Sequence, residues 1–353
     1  MDTRDTPEQA ELRRSARQLA RELGPATVAE LDDTTRAKRL AAAVRAAGWL
    51  ELRDDAGDGG PVAGAVEAAI VAEALGARVA DTAFAGPVLA ADLARRAGGR
   101  LNDPASIAMT AALSSPAVMA GGPSPSPSYA VDVGRELADT ACVLVADGPG
   151  HRVGQVAMDG ASAVGSGAAG ADLTRSVQAI SVNPPVDVVA HQRASITGDD
   201  LAAWTALGLA LTSADLVGVM RGVLEMTVAY AAERRQFGVP VGSFQAVQHL
   251  LAEAHCLMEG SSSTAAHAAW AVDELEPREA RAAGRVAKAY CARAVRTVCE
   301  TAVQVHGGIG NTWECLAHVY LRRALLSAQW FGDAGHQIQE LQSERWGVTD
   351  GLP

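Results

Sequence analysis

The 353-residue chain carries 30 basic against 41 acidic residues, a formal net charge of −11, which argues against a nucleic-acid surface and is silent about fold. Hydrophobic residues make up 48% and aromatics only 4%, enough for two or three packed units around cores of Ala, Leu and Val. Five cysteines (Cys142, Cys256, Cys291, Cys299, Cys315) follow no CxxC or Cys/His ligand spacing, as expected of reduced thiols rather than a metal centre. The charged start "MDTRDTPEQAELRRSARQLA" lacks an apolar h-region, and no run of about 18 uninterrupted apolar residues suggests a membrane span. A cytoplasmic location is expected.

From Pro7 to about Gly99 the pattern is helical in four pieces. The first has Thr6 as N-cap, Pro7 in the first turn and Glu8 and Glu11 near the positive helix end. Between about 101 and 198 the chain changes to short runs rich in small and β-branched residues, "SIAMTAAL", "SYAVDVG", "TACVLVADG", "HRVGQVAMDG", "SVQAISV" and "VDVVAH". They are separated by "SSPAVMAGGPSPSPS", "DGPG" and "GASAVGSGAAGADL", which predicts a small β domain with glycine-rich connections. Helix then returns. One segment runs from Asp199 or Asp200 to about Glu233, a second from Phe244 to about Asp273, and others over about 278–305, 314–331 and 334–344. Broad apolar faces on such long helices predict a bundle that also packs against other subunits. The expected division is a helical domain over 1–100, a β domain over 101–198 and a helical bundle over 199–353.

Two stretches carry recognisable chemistry. In "YAAERRQFGVPVGSFQAVQH" (230–249), Arg234 and Arg235 offer planar charged forks suited to phosphate oxygens. Phe237 can pack on a flat ring, and Gln245 presents both donor and acceptor. In "HGGIG" (306–310), glycines after a helix let backbone N–H groups approach an anion. Each stretch by itself also reads as a plain helix turn or C-cap; their pairing favours a dinucleotide's pyrophosphate and adenosine.

Together, "YAAERRQFGVPVGSFQAVQHLLAEA" and "AVQVHGGIGNTWECLAHVYLRRALLSAQWFGD" closely resemble the acyl-CoA dehydrogenases. The segment from "AAGWLEL" to "GPVL" is similar to that family's first helical domain, and "GADLTRSVQAIS" looks like a segment of its middle domain. The resemblance implies a mostly α fold with a small middle β domain and a C-terminal four-helix bundle. It implies FAD as cofactor, an acyl-CoA thioester as substrate and electron-transfer flavoprotein as acceptor, with no nucleic-acid or membrane partner. In the family the two motifs act in trans, holding the adenosine-diphosphate half of an FAD whose ring lies in the neighbouring subunit. By position, Arg234, Phe237, Gln245, Gln304, Gly307 and Gly308 would form that grip.

The chain departs from the family elsewhere. Nothing matches the usual Thr-Glu-Pro-x-x-Gly-Ser-Asp segment or the Trp-Ile-Thr/Ser-Asn stretch, and from 85 to 203 the only aromatic is Tyr129. A flavin ring wants flat neighbours and fixed donors. The two positions where relatives place the catalytic carboxylate are occupied here by Phe331 and Gly208, neither of which can take a proton. Asp215, the only ionisable residue in "AAWTALGLALTSADLVGVM", is the remaining candidate base, with a raised pKa expected in so apolar a helix; the competing expectation is a hydrogen bond to a helix or partner arginine. These features resemble the flavin-poor subunit of heterotetrameric, steroid side-chain acyl-CoA dehydrogenases of actinobacteria. A self-sufficient homotetramer using Asp215, and a non-catalytic scaffold on the same fold, stand as the alternatives.

Overall fold

The computed structural model describes residues 4–119, 128–133, 139–158, 172–180, 185–189, 192 and 194–346. The proline/serine run at 120–127 and the glycine-rich connection at 159–171, both read above as loops, lie outside the described residues.

Four helices open the chain: α1 (Pro7–Leu23), α2 (Thr34–Ala46), α3 (Ala65–Gly76) and α4 (Ala85–Arg96). Thr6 caps α1 as the sequence suggests. Its hydroxyl accepts from Gln9 N, while the Gln9 side chain accepts from Thr6 N, a reciprocal box that satisfies two otherwise orphaned donors.

Seven strands follow: β1 (Ser106–Thr110), β2 (Val118–Met119), β3 (Ser128–Val133), β4 (Thr140–Asp147), β5 (Gly150–Ala157), β6 (Ser176–Ile180) and β7 (Val186–Val188). They form one mixed sheet in the order β6-β3-β1-β4-β5-β7, with β2 also paired to β4. Strand β2 corrects the sequence reading, which took Val118–Met119 for loop. It is only two residues long, and its parallel pairing with Leu144 and Val145 of β4 is a long-range contact that alternation cannot reveal.

The C-terminal part comprises α5 (Gly198–Glu233), α6 (Gln245–Glu274), α7 (Pro277–His306), α8 (Ala317–Gln329) and α9 (Ala334–Trp346), with a hairpin of β8 (Arg235–Gln236) and β9 (Val239–Pro240) between α5 and α6. Helix α5 is long and apolar enough to cross a membrane, but its most apolar part is buried inside the fold. Its N-terminal half shares a core with α3, α4 and one sheet face through Leu89, Leu93, Ile107, Leu144, Trp204 and Leu207. The C-terminal half packs Met220 and Val223 against Val295 and Val298 of α7 and Tyr320 of α8. The expected mostly helical fold with a middle β domain is the one observed.

Polar contacts fix α4 both to the sheet and to α5. The Asp132 carboxylate at the end of β3 accepts from Phe84 N at 2.9 Å and Gly86 N at 3.0 Å, capping α4 from a distant part of the chain. Trp204 Nε1 donates to Leu89 O at 2.9 Å, fixing α5 to α4.

Candidate functional site

Gly208 and Phe331, the two positions at which the resemblance leads one to expect a catalytic carboxylate, meet inside the fold. Gly208 lies on α5 and Phe331 just after α8, and a Cβ added to Gly208 would stand 2.1 Å from Phe331 Cζ. Only glycine at 208 allows the ring so close. Phe331 is 2% exposed and has φ +65°, a left-handed conformation costly for a side-chain-bearing residue. Its surroundings hold it there: its N–H donates to Leu113 O at 2.7 Å, and its carbonyl accepts from Gln337 Nε2. The ring packs against Trp204 and Trp330 at centroid distances of 5.3 and 5.9 Å. The neighbouring gap, bordered by Leu211, Asp215, Arg175 and Trp330, measures about 10 Å³, about the space of one water.

Asp215 corrects the expectation of a raised pKa. Arg323 donates to its Oδ1 from Nη2 at 2.6 Å and from Nε at 3.2 Å. Ser327 Oγ donates to Oδ2 at 2.6 Å, and Arg175 Nη1 stands 3.5 Å from the same oxygen. Burial works to raise the pKa, but the two guanidiniums and the hydroxyl outweigh it and hold the carboxyl down at about 2. A carboxylate so paired is a poor proton acceptor at neutral pH; the reading in which it hydrogen-bonds an arginine describes it. Arg323 also donates to Ala80 O at 2.7 Å and Thr174 Oγ1 at 3.1 Å, while Arg175 donates to Asp172 at 3.0 Å. Asp172, Thr174 and Arg175 thus enter an ionic network that ties the β domain to α5 and α8. Lys288 Nζ, fully buried, donates to Ser327 O beside that network, and burial lowers its pKa to about 7.

The other sequence-predicted residues face outward. Arg234 terminates α5, and the following hairpin turns through Phe237 and Gly238 with φ +53° and +84°, the pattern of a type I′ turn. Its tip projects Phe237, 94% exposed, edge-on to Phe244 at 6.3 Å. Gln245 opens α6 and is exposed, as are Gln304, Gly307 and Gly308 at the end of α7. A Cβ at either glycine would meet nothing within 4 Å, so the backbone there is open to an approaching anion.

One contact joins the two motifs. Tyr230, four residues before Arg234, stacks on His306 with centroids 4.4 Å apart, and its hydroxyl reaches His306 O at 3.4 Å. The arginine corner and the glycine turn therefore share one end of the bundle. Sequence reasoning missed this stack and the hairpin; the Phe-Gly pair flanked by short β-compatible residues was the available signal for the latter.

Residues 206–344 match the acyl-CoA dehydrogenase C-terminal domain family, and residues 6–97 the acyl-CoA dehydrogenase N-terminal domain family. This chain belongs to the acyl-CoA dehydrogenase family. It is similar to the acyl-CoA dehydrogenase FadE34 of Mycobacterium tuberculosis, 39% identical over 143 residues that cover 40% of this chain and 19% of the relative. It is also similar to the acyl-CoA dehydrogenase IpdE2 of Mycolicibacterium smegmatis, 38% identical over 149 residues covering 42% and 45%. These matches span less than half the length of either relative. Over the whole chain, the fold is that of the ChsE4–ChsE5 complex from Mycobacterium tuberculosis, at TM-score 0.75 and 24% identity, covering 99% of this chain and 100% of the other. A variant of the Tcur3481–Tcur3483 steroid ACAD gives TM-score 0.75 at 21% identity, covering 95% and 97%.

Proposed function

We propose that the chain is the flavin-sharing, non-catalytic subunit of a heteromeric acyl-CoA dehydrogenase. The observation that carries this reading is the packing of Phe331 onto Gly208. Both base positions are used up in an aromatic plug, and the gap beside them has about 10 Å³. Asp215, the nearest buried carboxylate on the same helix, is committed to Arg323 and Ser327.

The outward motifs support the other half of the reading. Arg234, Phe237, Gln245, Gln304, Gly307 and Gly308 gather at one exposed end with no side chain crowding the glycines. They suit the adenosine-diphosphate half of an FAD seated mainly in a partner chain: Arg234 for a phosphate oxygen, the 307–308 backbone N–H groups for the pyrophosphate, Phe237 and Gln245 for the adenosine. FAD supplies hydride acceptance from the β-carbon of an acyl thioester. With Gly208 and Phe331 packed together and Asp215 paired, the carboxylate that takes the α-proton would have to come from outside this chain. Domain limits near 100 and 198 belong to this reading, since the helical part past 198 carries every residue of the grip.

The two-component names of the ChsE4–ChsE5 and Tcur3481–Tcur3483 structures support a second, dissimilar subunit, and the word steroid in the latter supports a ring-bearing acyl-CoA. A chain of the Acidaminococcus fermentans electron-transferring flavoprotein structure shares the fold at TM-score 0.72 and 19% identity; an electron-transferring flavoprotein is the expected acceptor by the family resemblance.

The test is purification alone and after co-expression with a dehydrogenase gene adjacent on the chromosome. The chain alone is expected to be colourless, and the pair to carry about one FAD per heterodimer by its absorption near 450 nm. Stoichiometric FAD and turnover in the lone chain would overturn the reading. A colourless pair would favour a scaffold.

A further inference from the structure

A second cleft, of about 590 Å³, opens between α1, α3, α5 and α6, within the range of about 300–1,000 Å³ usual for small-molecule sites. It is unrelated to the plug. At about 100° per residue, Val217 and Arg221 lie roughly 180–220° around α5 from Gly208, and neither nucleotide motif contributes to it.

Its two ends differ in chemistry. Ala65 N donates to Asp273 Oδ2 at 2.5 Å, bringing the start of α3 to the end of α6, so Val66 and Trp270 wall the same end. Between there and Glu73 the floor is mostly alanine and valine, with Ala69, Ala214, Val217 and Ala269 among the lining residues. Those small side chains are what leave the space. The distance from Val66 to Glu73 along α3 is about 10 Å.

At the far end Arg221 Nε, Arg13 Nη1 and Arg17 Nη2 converge on the Glu73 carboxylate at 3.0, 3.3 and 3.5 Å. Arg13 also forms a two-pronged pair with Asp5, at 2.7 and 2.9 Å. Three guanidiniums thus meet two carboxylates, an excess of positive charge in a chain of net charge −11. Among the described residues, Arg17 makes the longest of these contacts, and its side chain is 47% exposed. A clasp that merely fastened α1 to α3 would need one arginine per acid and no cleft beside it.

We propose that this cleft binds a small apolar monocarboxylate, its carboxylate taken by Arg17 and Arg221 and its hydrocarbon body laid along the alanine floor toward Trp270. A length of roughly eight to ten carbons matches the ~10 Å run along α3 from Glu73, where Arg221 is bound, to Val66 at the Trp270 end. The site is independent of the flavin-sharing role and holds whichever subunit carries the catalytic base.

Decanoate is the probe, titrated calorimetrically below its micelle concentration into the purified full chain or its complex. One saturable site is expected. Arg17→Gln and Arg221→Gln should each weaken it at least fivefold, and Ala69→Leu, which fills the floor while leaving every arginine in place, should abolish it. Decan-1-ol, with the same body and no charge, should bind at least tenfold more weakly. Absence of saturable decanoate binding would overturn the proposal, as would equal affinity for decanol or unchanged affinity in both Arg17→Gln and Ala69→Leu. Circular dichroism melts of the unliganded variants separate loss of the site from loss of the fold.

Discussion

The ring of Phe331 occupies the space that any side chain at position 208 would need, with Cζ 2.1 Å from the place of a Gly208 Cβ. Two residues more than a hundred positions apart are thereby fixed to each other, one forced to be glycine by the other's ring. Replacing a mid-helix glycine by alanine ordinarily gains up to about 1 kcal/mol. Here the clash reverses the sign. Gly208→Ala is expected to lower stability by about 1–3 kcal/mol, measured by urea denaturation. Phe331→Leu should recover part of that loss when combined with it, so the double-mutant cycle will be strongly non-additive.

Asp215 and Asp92 give the chain a defined acid limit. Asp92, fully buried, accepts from Arg95 Nη2 and Arg96 Nε at 2.6 Å each and from Arg53 Nε at 3.1 Å. Burial opposes the charge, but the arginines prevail and hold it at about 2, as with Asp215. Both folded-state pKa values lie below the ordinary carboxylate range, so each contributes stability above about pH 4 that is lost as pH falls toward 2. Asp215→Asn leaves Arg323 buried without its counter-ion, while Arg175 keeps Asp172, and should cost about 3–5 kcal/mol at neutral pH. Its denaturation midpoint should also be flatter than wild type between pH 4 and 2. Equal pH profiles would contradict the pairing.

Element type was legible where local pattern decides it. Thr6 and Pro7 mark α1, the apolar run from 199 to 233 marks α5, and the six longer strands stand out by β-branched alternation. What pattern leaves out is partner identity. Asp215 looks like an isolated acid because Arg323 and Arg175 lie in distant segments, and nothing local distinguishes a lone buried carboxylate from a paired one. The same holds for Phe331 and Gly208. The sequence marks both as unable to act as bases, but only their packing turns two absences into one filled site. The residues of the proposed grip sit in two short contiguous motifs and so can be picked out by eye, whereas the stack of Tyr230 on His306 that joins the motifs has no local signal.

Lys288 adds a pH dependence of the same sign as the aspartates but in a higher window, and here burial rather than ion pairing is the cause. It is fully buried, donates to Ser327 O, and burial brings its pKa down to about 7. The unfolded chain holds that proton up to about pH 10.4. Between about pH 7 and 10 the unfolded state therefore binds more protons, and this group makes stability rise with pH over that window. Lys288→Met, similar in length and apolar, should remove the rise. The check is the urea midpoint from pH 7 to 10 for both proteins; parallel curves would mean that Lys288 stays protonated in the folded state.

The hairpin tip separates stability from function. Phe237 holds φ +53° in a turn that favours Asn or Gly at its first central position, a strain of about 1–2 kcal/mol for a residue of this kind. Its ring is 94% exposed and lies edge-on to Phe244, so little packing within the chain offsets that cost. Phe237→Asn should raise the stability of the isolated chain by up to about 1 kcal/mol. If the ring instead stacks on an adenosine held by the partner, the same substitution should lower the FAD retained by the purified complex several-fold, as should Arg234→Ala and Gln245→Ala. Those last two, both at exposed positions, should leave the chain's own stability within about 0.5 kcal/mol of wild type. Thermal melts of the lone chain and flavin absorbance of the complex after gel filtration measure the two effects separately. A stabilised chain whose complex keeps all its flavin would mean that the projecting ring serves something other than the nucleotide.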